Sequence, residues 1–297
     1  MTQVETAIAR SPVPPPTPPP FQPTIFFSGV RIKETKTPIS PDETSIFLDW
    51  DDTCIASDWM RKGGLSTRTL DEGPVNPVFL EAAELISVEL ESLLLSARQL
   101  GRVFIVTNGT DGWVEMSCNL FMPRLLPLVT SFPIISAQER YNTYYSSPVE
   151  WKRMTFRDIV SADTRPVGNL RNFISIGDGM AEHIAIHSLK QYPGGSFVTT
   201  PNIIKSVKLQ EFPTPERLAE QLRMLVGIFP KLVHHPTDAD LAVCVSYYPP
   251  LPESDSDTEP QAKKSEPAHV SAADMGFASP PYSEIDEETL ALFFGEP

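Results

Sequence analysis

Three short apolar runs in this chain end abruptly in polar groups. Ile46-Phe47-Leu48 stops at Asp49-Trp50-Asp51-Asp52-Thr53, Val103-Phe104-Ile105-Val106 at Thr107-Asn108, and Phe173-Ile174-Ser175-Ile176 at Gly177-Asp178. Apolar runs of this length predict strands buried on both faces, as in parallel sheets covered by helices. Polar groups at their carboxyl ends fall where open α/β sheets bind ligands.

Between the runs the apolar period becomes helical. Asn76 as N-cap and Pro77 at the first helical position predict a helix over 76–101, with Glu81 and Glu84 near its positive end. Its predicted apolar face is Val78, Ala82, Leu85, Ile86, Leu90, Leu93, Leu94, Ala97 and Leu100, a crossover from the first strand to the second. Asp111 is the expected cap of a helix stopping at Pro123, and residues 132–136 a third strand. Ser147, Pro148 and Glu150 predict a capping box before a helix carrying Lys152. Residues 204–209 alternate as a strand, and Thr214-Pro215 opens a helix with Leu218, Leu222, Leu225 and Val226 on one face. Strands alternating with helices predict the α/β class, a Rossmann-like doubly wound parallel sheet.

Composition separates the ends from the middle. Residues 1–24 hold eight prolines, and residues 252–297 hold eleven acids against two lysines. The expected organisation is a Pro-rich disordered segment over 1–24, one α/β domain over 25–245 and an acidic disordered tail over 246–297. The tail carries most of the net charge of −14, leaving the middle mildly acidic without a basic stripe. That excludes tight nonspecific DNA binding, which needs clustered Lys and Arg. Cys54, Cys118 and Cys244 are scattered and odd in number, which excludes a disulfide framework and a Cys-x-x-Cys metal site. No run approaches membrane-spanning length, and prolines stand where a signal peptide needs an apolar stretch, so cytoplasm or nucleus is the expected location.

Three carboxylates within four residues repel one another, which predicts a hard cation such as Mg²⁺. One carboxylate can then attack phosphorus, while a second, two residues along, moves protons.

Taken in order, the motifs resemble the haloacid dehalogenase superfamily. Asp49, Asp51 and Thr53 match its Asp-x-Asp-x-Thr motif, Thr107 ends a run like its second motif, and Lys152 lies on a helix where its lysine is expected. Gly177-Asp178 with Glu182 is similar to its Gly-Asp-x-x-x-acid motif, with Glu where Asp is commoner. The resemblance spans about residues 44–210, and residues 113–128 look like those of uncharacterised eukaryotic members. A receiver domain gathers the same residue types, but there the lysine comes last, whereas Lys152 precedes Asp178.

The resemblance implies a Mg²⁺-dependent phosphatase acting through an aspartyl-phosphate. Asp49 would be the nucleophile, Asp51 the general acid/base, Thr107 the phosphate-binding hydroxyl and Lys152 the charge stabiliser. Mg²⁺ would be held by Asp49, the backbone carbonyl of Asp51 and Asp178, with Glu182 as a further candidate. Asp51 favours phosphatase over dehalogenase chemistry. Many relatives insert a cap domain, yet residues 55–75 are only 21 long and residues 109–149 are mostly a helix and a strand. A minimal cap implies an uncapped (C0-type) branch and an exposed or macromolecular phosphoester, such as one on a protein.

Other residues have competing readings. Trp50 is either a stacking platform for substrate or a packed aromatic, and Asp52 has no assigned role. His183 and His187 stand four apart, a zinc-binding spacing, but no Glu is placed as in zinc proteases. Surface pairs are the expectation there and for His234 and His235. The competing functional reading is an interaction module on an inactive phosphatase-like scaffold. In it residues 12–23 dock as polyproline II and residues 284–294 fold as a short helix on a protein partner.

Overall fold

In a computed structural model, residues 22–27, 38–66, 74–162, 171–190 and 202–246 are described, the side chains of 22–27 and 244–246 excepted. The proposed tail contacts at 12–21 and 284–294 lie outside these residues.

The strands are β1 (Gln22–Phe27), β2 (Thr44–Leu48), β3 (Arg102–Thr107), β4 (Ile134–Ser136), β5 (Asn172–Gly177), β6 (Ile203–Lys208) and β7 (Ala239–Ser246). The helices are α1 (Ser57–Lys62), α2 (Pro77–Leu100), α3 (Trp113–Phe121), α4 (Leu126–Val129), α5 (Ala137–Tyr141), α6 (Pro148–Ser161), α7 (Met180–His187) and α8 (Pro215–Val233). One sheet runs β1-β7-β6-β5-β2-β3-β4. β2 to β7 are parallel, and β1 adds to the β7 edge in the antiparallel sense. This is the predicted doubly wound α/β architecture.

From β2 the chain builds outward through β3 to β4, then returns to the other side of β2 with β5, β6 and β7. The order therefore reverses between β2 and β5, and their carboxyl ends flank the crevice where such sheets bind ligands. Leu48 pairs with both Ile105 and Ile176, so the polar ends of β2, β3 and β5 stand level.

Both faces of β2 are buried, which explains its unbroken apolar run. Ile46 and Leu48 enter a core with α2, α3 and α8, while Phe47 enters a second core with α6 and α7. There the Phe47 ring stacks on Phe156 at 4.3 Å between centroids. Truncating such a buried aromatic to Ala costs about 3–5 kcal/mol.

Several local expectations needed correction. Asn76 caps α2 as predicted, accepting from Val78 N at 3.0 Å. The first turns, however, bury Phe79 and Ala83 and leave Val78 and Leu85 outside, 53% and 47% exposed. Phe79 sets that phase by packing edge-on against Trp59 at 5.9 Å. Asp111 is not the cap of α3: Gly112 is, in the left-handed region at φ 79°. The capping box before α6 does not form, because Ser147 makes no side-chain cap bond and Glu150 is drawn to Arg153 one turn on. β7 and β1 were not foreseen, and β1 starts at Gln22, inside the stretch read as a Pro-rich tail. Among the described residues no helix is long and apolar enough to cross a membrane.

Candidate functional site

Asp49 is the first residue past β2, and its amide still donates to Ile176 O of β5 at 3.0 Å. The strand pairing therefore fixes the backbone from which its carboxylate projects. The chain then turns sharply through Asp52, whose φ of 51° lies in the left-handed region tolerated best by Gly, Asn and Asp. Asp52 Oδ1 accepts from Asp58 N at 3.0 Å, within the first turn of α1. The residue without an assigned role thus serves the turn, supplying an orphan helix donor with an acceptor.

Lys152, only 1% exposed, joins the acids. Its ammonium lies 2.5 Å from Asp49 Oδ1 and is also bonded to Glu182 Oε1. Glu182 folds back over the β5–α7 turn, where a Cβ on Gly177 would clash with its Cγ. The glycine of the Gly-Asp motif is thus needed for close approach. Asp178 is tied to Thr53, whose hydroxyl accepts from Asp178 N at 3.1 Å. Ligand oxygens of Asp49, Asp178 and Glu182 lie within 4.8 Å of one another.

Asp51 is held separately. Trp113 Nε1 donates to its two carboxylate oxygens at 3.0 and 3.2 Å, and the Thr107 hydroxyl donates to Oδ2 at 3.3 Å. Thr107 in turn accepts from Gly109 N at 2.8 Å, closing the turn after β3. A Cβ on Gly109 would meet Trp113 Cδ1 at 2.6 Å, so this position must stay small for the indole to reach Asp51.

Electrostatics divide the acids. Burial is the largest influence on Asp49 and, with the Glu182 charge, lifts its carboxyl to about 8 against the pull of Lys152. Asp178 is raised by burial and by the charges of Asp49, Glu182 and Asp52. Asp51 is raised by burial, although bonds from Ser57 and Trp113 oppose the rise. Burial also lifts Asp52, to about 7. Burial alone would depress the Lys152 ammonium, but Asp49 and Glu182 overcome it and hold the charge. Glu182 is lowered: burial pushes it up, but the Lys152 charge and hydrogen bond prevail.

Of Asp49, Asp51, Asp178 and Glu182, Lys152 bonds Asp49 and Glu182, so among the described residues the Asp51 and Asp178 carboxylates share the low dielectric without an ion-paired cation of their own. Among the described residues no group within hydrogen-bond geometry partners the buried Glu182 Oε2. This all-oxygen donor set fits a hard divalent cation.

The structure gathers Asp49, Asp51, Thr107, Lys152, Asp178 and Glu182 around one crevice. It removes Trp50 from consideration as a platform, since that residue is fully buried and its indole donates to Ser117 Oγ at 2.9 Å. Cys54, also buried, donates its thiol to Asp49 O at 3.1 Å. His235 is buried rather than on the surface, and His183 and His187 are half-buried. Sequence reasoning missed Trp113, which lies 62 residues from Asp51. The nearest signal was its place at the start of the helix that follows the Thr107 turn. Comparison with protein-family models, curated proteins and solved structures finds no match.

Proposed function

We propose that this chain is a phosphoester hydrolase of haloacid dehalogenase type, in which Asp49 attacks phosphorus and Asp51 moves protons. The reading rests on one observation: a buried carboxylate paired with a buried lysine lies beside a second carboxylate held independently by Thr107 and Trp113. Lys152 orients Asp49 and offsets the charge that builds on the phosphoryl oxygens. Burial raises the Asp51 pKa and so favours the protonated form that donates to the leaving oxygen. After the aspartyl-phosphate forms, the ionised Asp51 takes a proton from the water that attacks phosphorus, and phosphate leaves with Asp49 restored.

Asp49, Asp178 and Glu182 would hold a divalent cation such as Mg²⁺, with the Asp51 backbone carbonyl as a further donor. When bound, the ion supplies charge neutralisation that keeps Asp49 ionised and polarises the phosphoryl oxygens. Thr107 would also serve the phosphoryl group, although its hydroxyl faces Asp51.

The substrate class follows from what surrounds the crevice. Between β2 and α2 the described residues hold only the six-residue α1, and residues 109–149 form short elements of the main fold. No inserted domain stands among the described residues to enclose a small metabolite, which favours a phosphate displayed on a larger carrier. Mg²⁺-dependent hydrolysis of an aryl phosphate by the purified full chain tests the reading. Replacing the nucleophile in Asp49→Asn is expected to reduce turnover by about a thousandfold or more. Equal turnover in the variant would exclude Asp49 as the nucleophile.

A further inference from the structure

A second cluster of metal-ligating side chains lies apart from the crevice, on the part of α7 turned toward β6 and β7. His183 and His187 are one helical turn apart, and their rings approach to 4.4 Å between centroids. Across the gap, Asp240 projects from β7 on the face opposite Ala239 and Leu241, which enter the α8 core. His187 Nε2 and Asp240 Oδ1 meet at 2.8 Å. One ligand atom from each of the three residues lies within 4.8 Å of the other two.

We propose that His183, His187 and Asp240 form a binding site for one borderline transition-metal ion of the zinc class, which clips α7 to the edge of the sheet. Two imidazoles and one carboxylate suit Zn²⁺, Co²⁺ or Ni²⁺ and are a poor match for Mg²⁺, which prefers oxygen ligands. Three protein ligands leave a fourth, open position for water. Tetrahedral bonds of about 2.0–2.1 Å place donors about 3.3 Å apart, so the required adjustment is an ångström or so of side-chain movement. His187 and Asp240 have that freedom, with side chains 38% and 48% exposed. His183 is already braced, because Ser206 Oγ lies 3.0 Å from its Nδ1, and such an outer partner orients a ligating ring. The donors come from two elements separated by more than fifty residues, so binding adds a tie that the sheet hydrogen bonds do not supply.

The site differs in chemistry from the Asp49, Asp178 and Glu182 cluster, so the two can be loaded separately. The full chain is stripped with chelator, saturated with Mg²⁺ and titrated with Co²⁺ while visible absorption is recorded. One ion per chain is expected, with the bands of four- or five-coordinate Co²⁺ bound to nitrogen. His187→Gln and Asp240→Asn should each weaken Co²⁺ binding by about tenfold or more, with circular dichroism confirming that both variants are folded. Asp49→Asn should leave the titration unchanged. Failure of the wild-type chain to bind, undiminished affinity in folded His187→Gln and Asp240→Asn, or loss of binding in Asp49→Asn would each overturn the proposal.

Discussion

Among the described residues two lysines are buried almost completely, and their surroundings drive them in opposite directions. Lys152, at the carboxyl edge of the sheet, is bonded to Asp49 and Glu182, and its ammonium is held charged. Lys205, inside β6, donates to Val233 O at 2.7 Å, and burial pushes its pKa down to about 7, with Asp238 opposing. A buried ammonium is tolerated where acids outnumber it, and it strains the fold where a single carbonyl is its described partner. The contrast separates an ammonium held between acids from one set in packing.

The largest effect is expected at Lys152. Lys152→Met leaves buried acids without their cation, and denaturant unfolding should show a loss of about 3–5 kcal/mol. Turnover of an aryl phosphate should fall about 100- to 1000-fold in the same variant, the range for losing a preorganised electrostatic partner.

At Lys205 the sign reverses. Its folded pKa is depressed from 10.5 to about 7, so between those values the unfolded chain binds more protons and stability rises with pH. Below pH 7 the full cost of the buried charge applies, with an upper limit of about 5 kcal/mol for a shift of this size at about 1.36 kcal/mol per unit. Lys205→Met should therefore be as stable as the parent or more so at pH 6, and it should flatten the rise between pH 7 and 10.5. Val233 O keeps a partner, because Asn172 Nδ2 also donates to it at 3.0 Å. Unfolding curves across that range give the answer.

Trp113→Phe probes the acid that Lys152 does not hold. The ring remains, but the N–H that donates to Asp51 is lost, and kcat should fall about 10- to 100-fold, less than the about 100- to 10000-fold that a general acid–base group itself contributes. That bond lowers the Asp51 pKa, so without it the limbs of the pH profile that report Asp51 should move to higher pH.

Asp52 gives the smallest effect and sharpens the division of labour. Asp52→Ala should lose about 1–2 kcal/mol through the missing cap acceptor and the left-handed backbone, whereas Asp52→Asn should be close to neutral. Turnover should be unchanged in Asp52→Asn if the residue serves only the turn.

The strand ends were legible because β2, β3 and β5 are buried on both faces, so each apolar run stops where the sheet meets the crevice. Asp49 and Asp178 were legible as residue types at the ends of β2 and β5, and Lys152 as a lysine in the first turns of a helix opened by Ser147 and Pro148. Trp113 was not, because a helix brings it to Asp51 through the tertiary fold. The phase of α2 was misread at its start because Phe79 is fixed by Trp59, a contact that periodicity does not encode. Glu150 was misread because Arg153 competes for it one turn away. β7 alternates Ala239, Leu241 and Val243 with Asp240 and Ala242, a period-two signal masked by its place just after a strong helix.

The proposed hydrolysis requires that Asp49 attack phosphorus. The Asp51→Asn chain, incubated with an aryl phosphate and Mg²⁺, is reduced with borohydride, digested and examined by mass spectrometry. The acyl-phosphate is expected to appear as a reduced product at position 49 alone. Phosphate release with position 49 unmodified, or the reduced product at another acid, would contradict it.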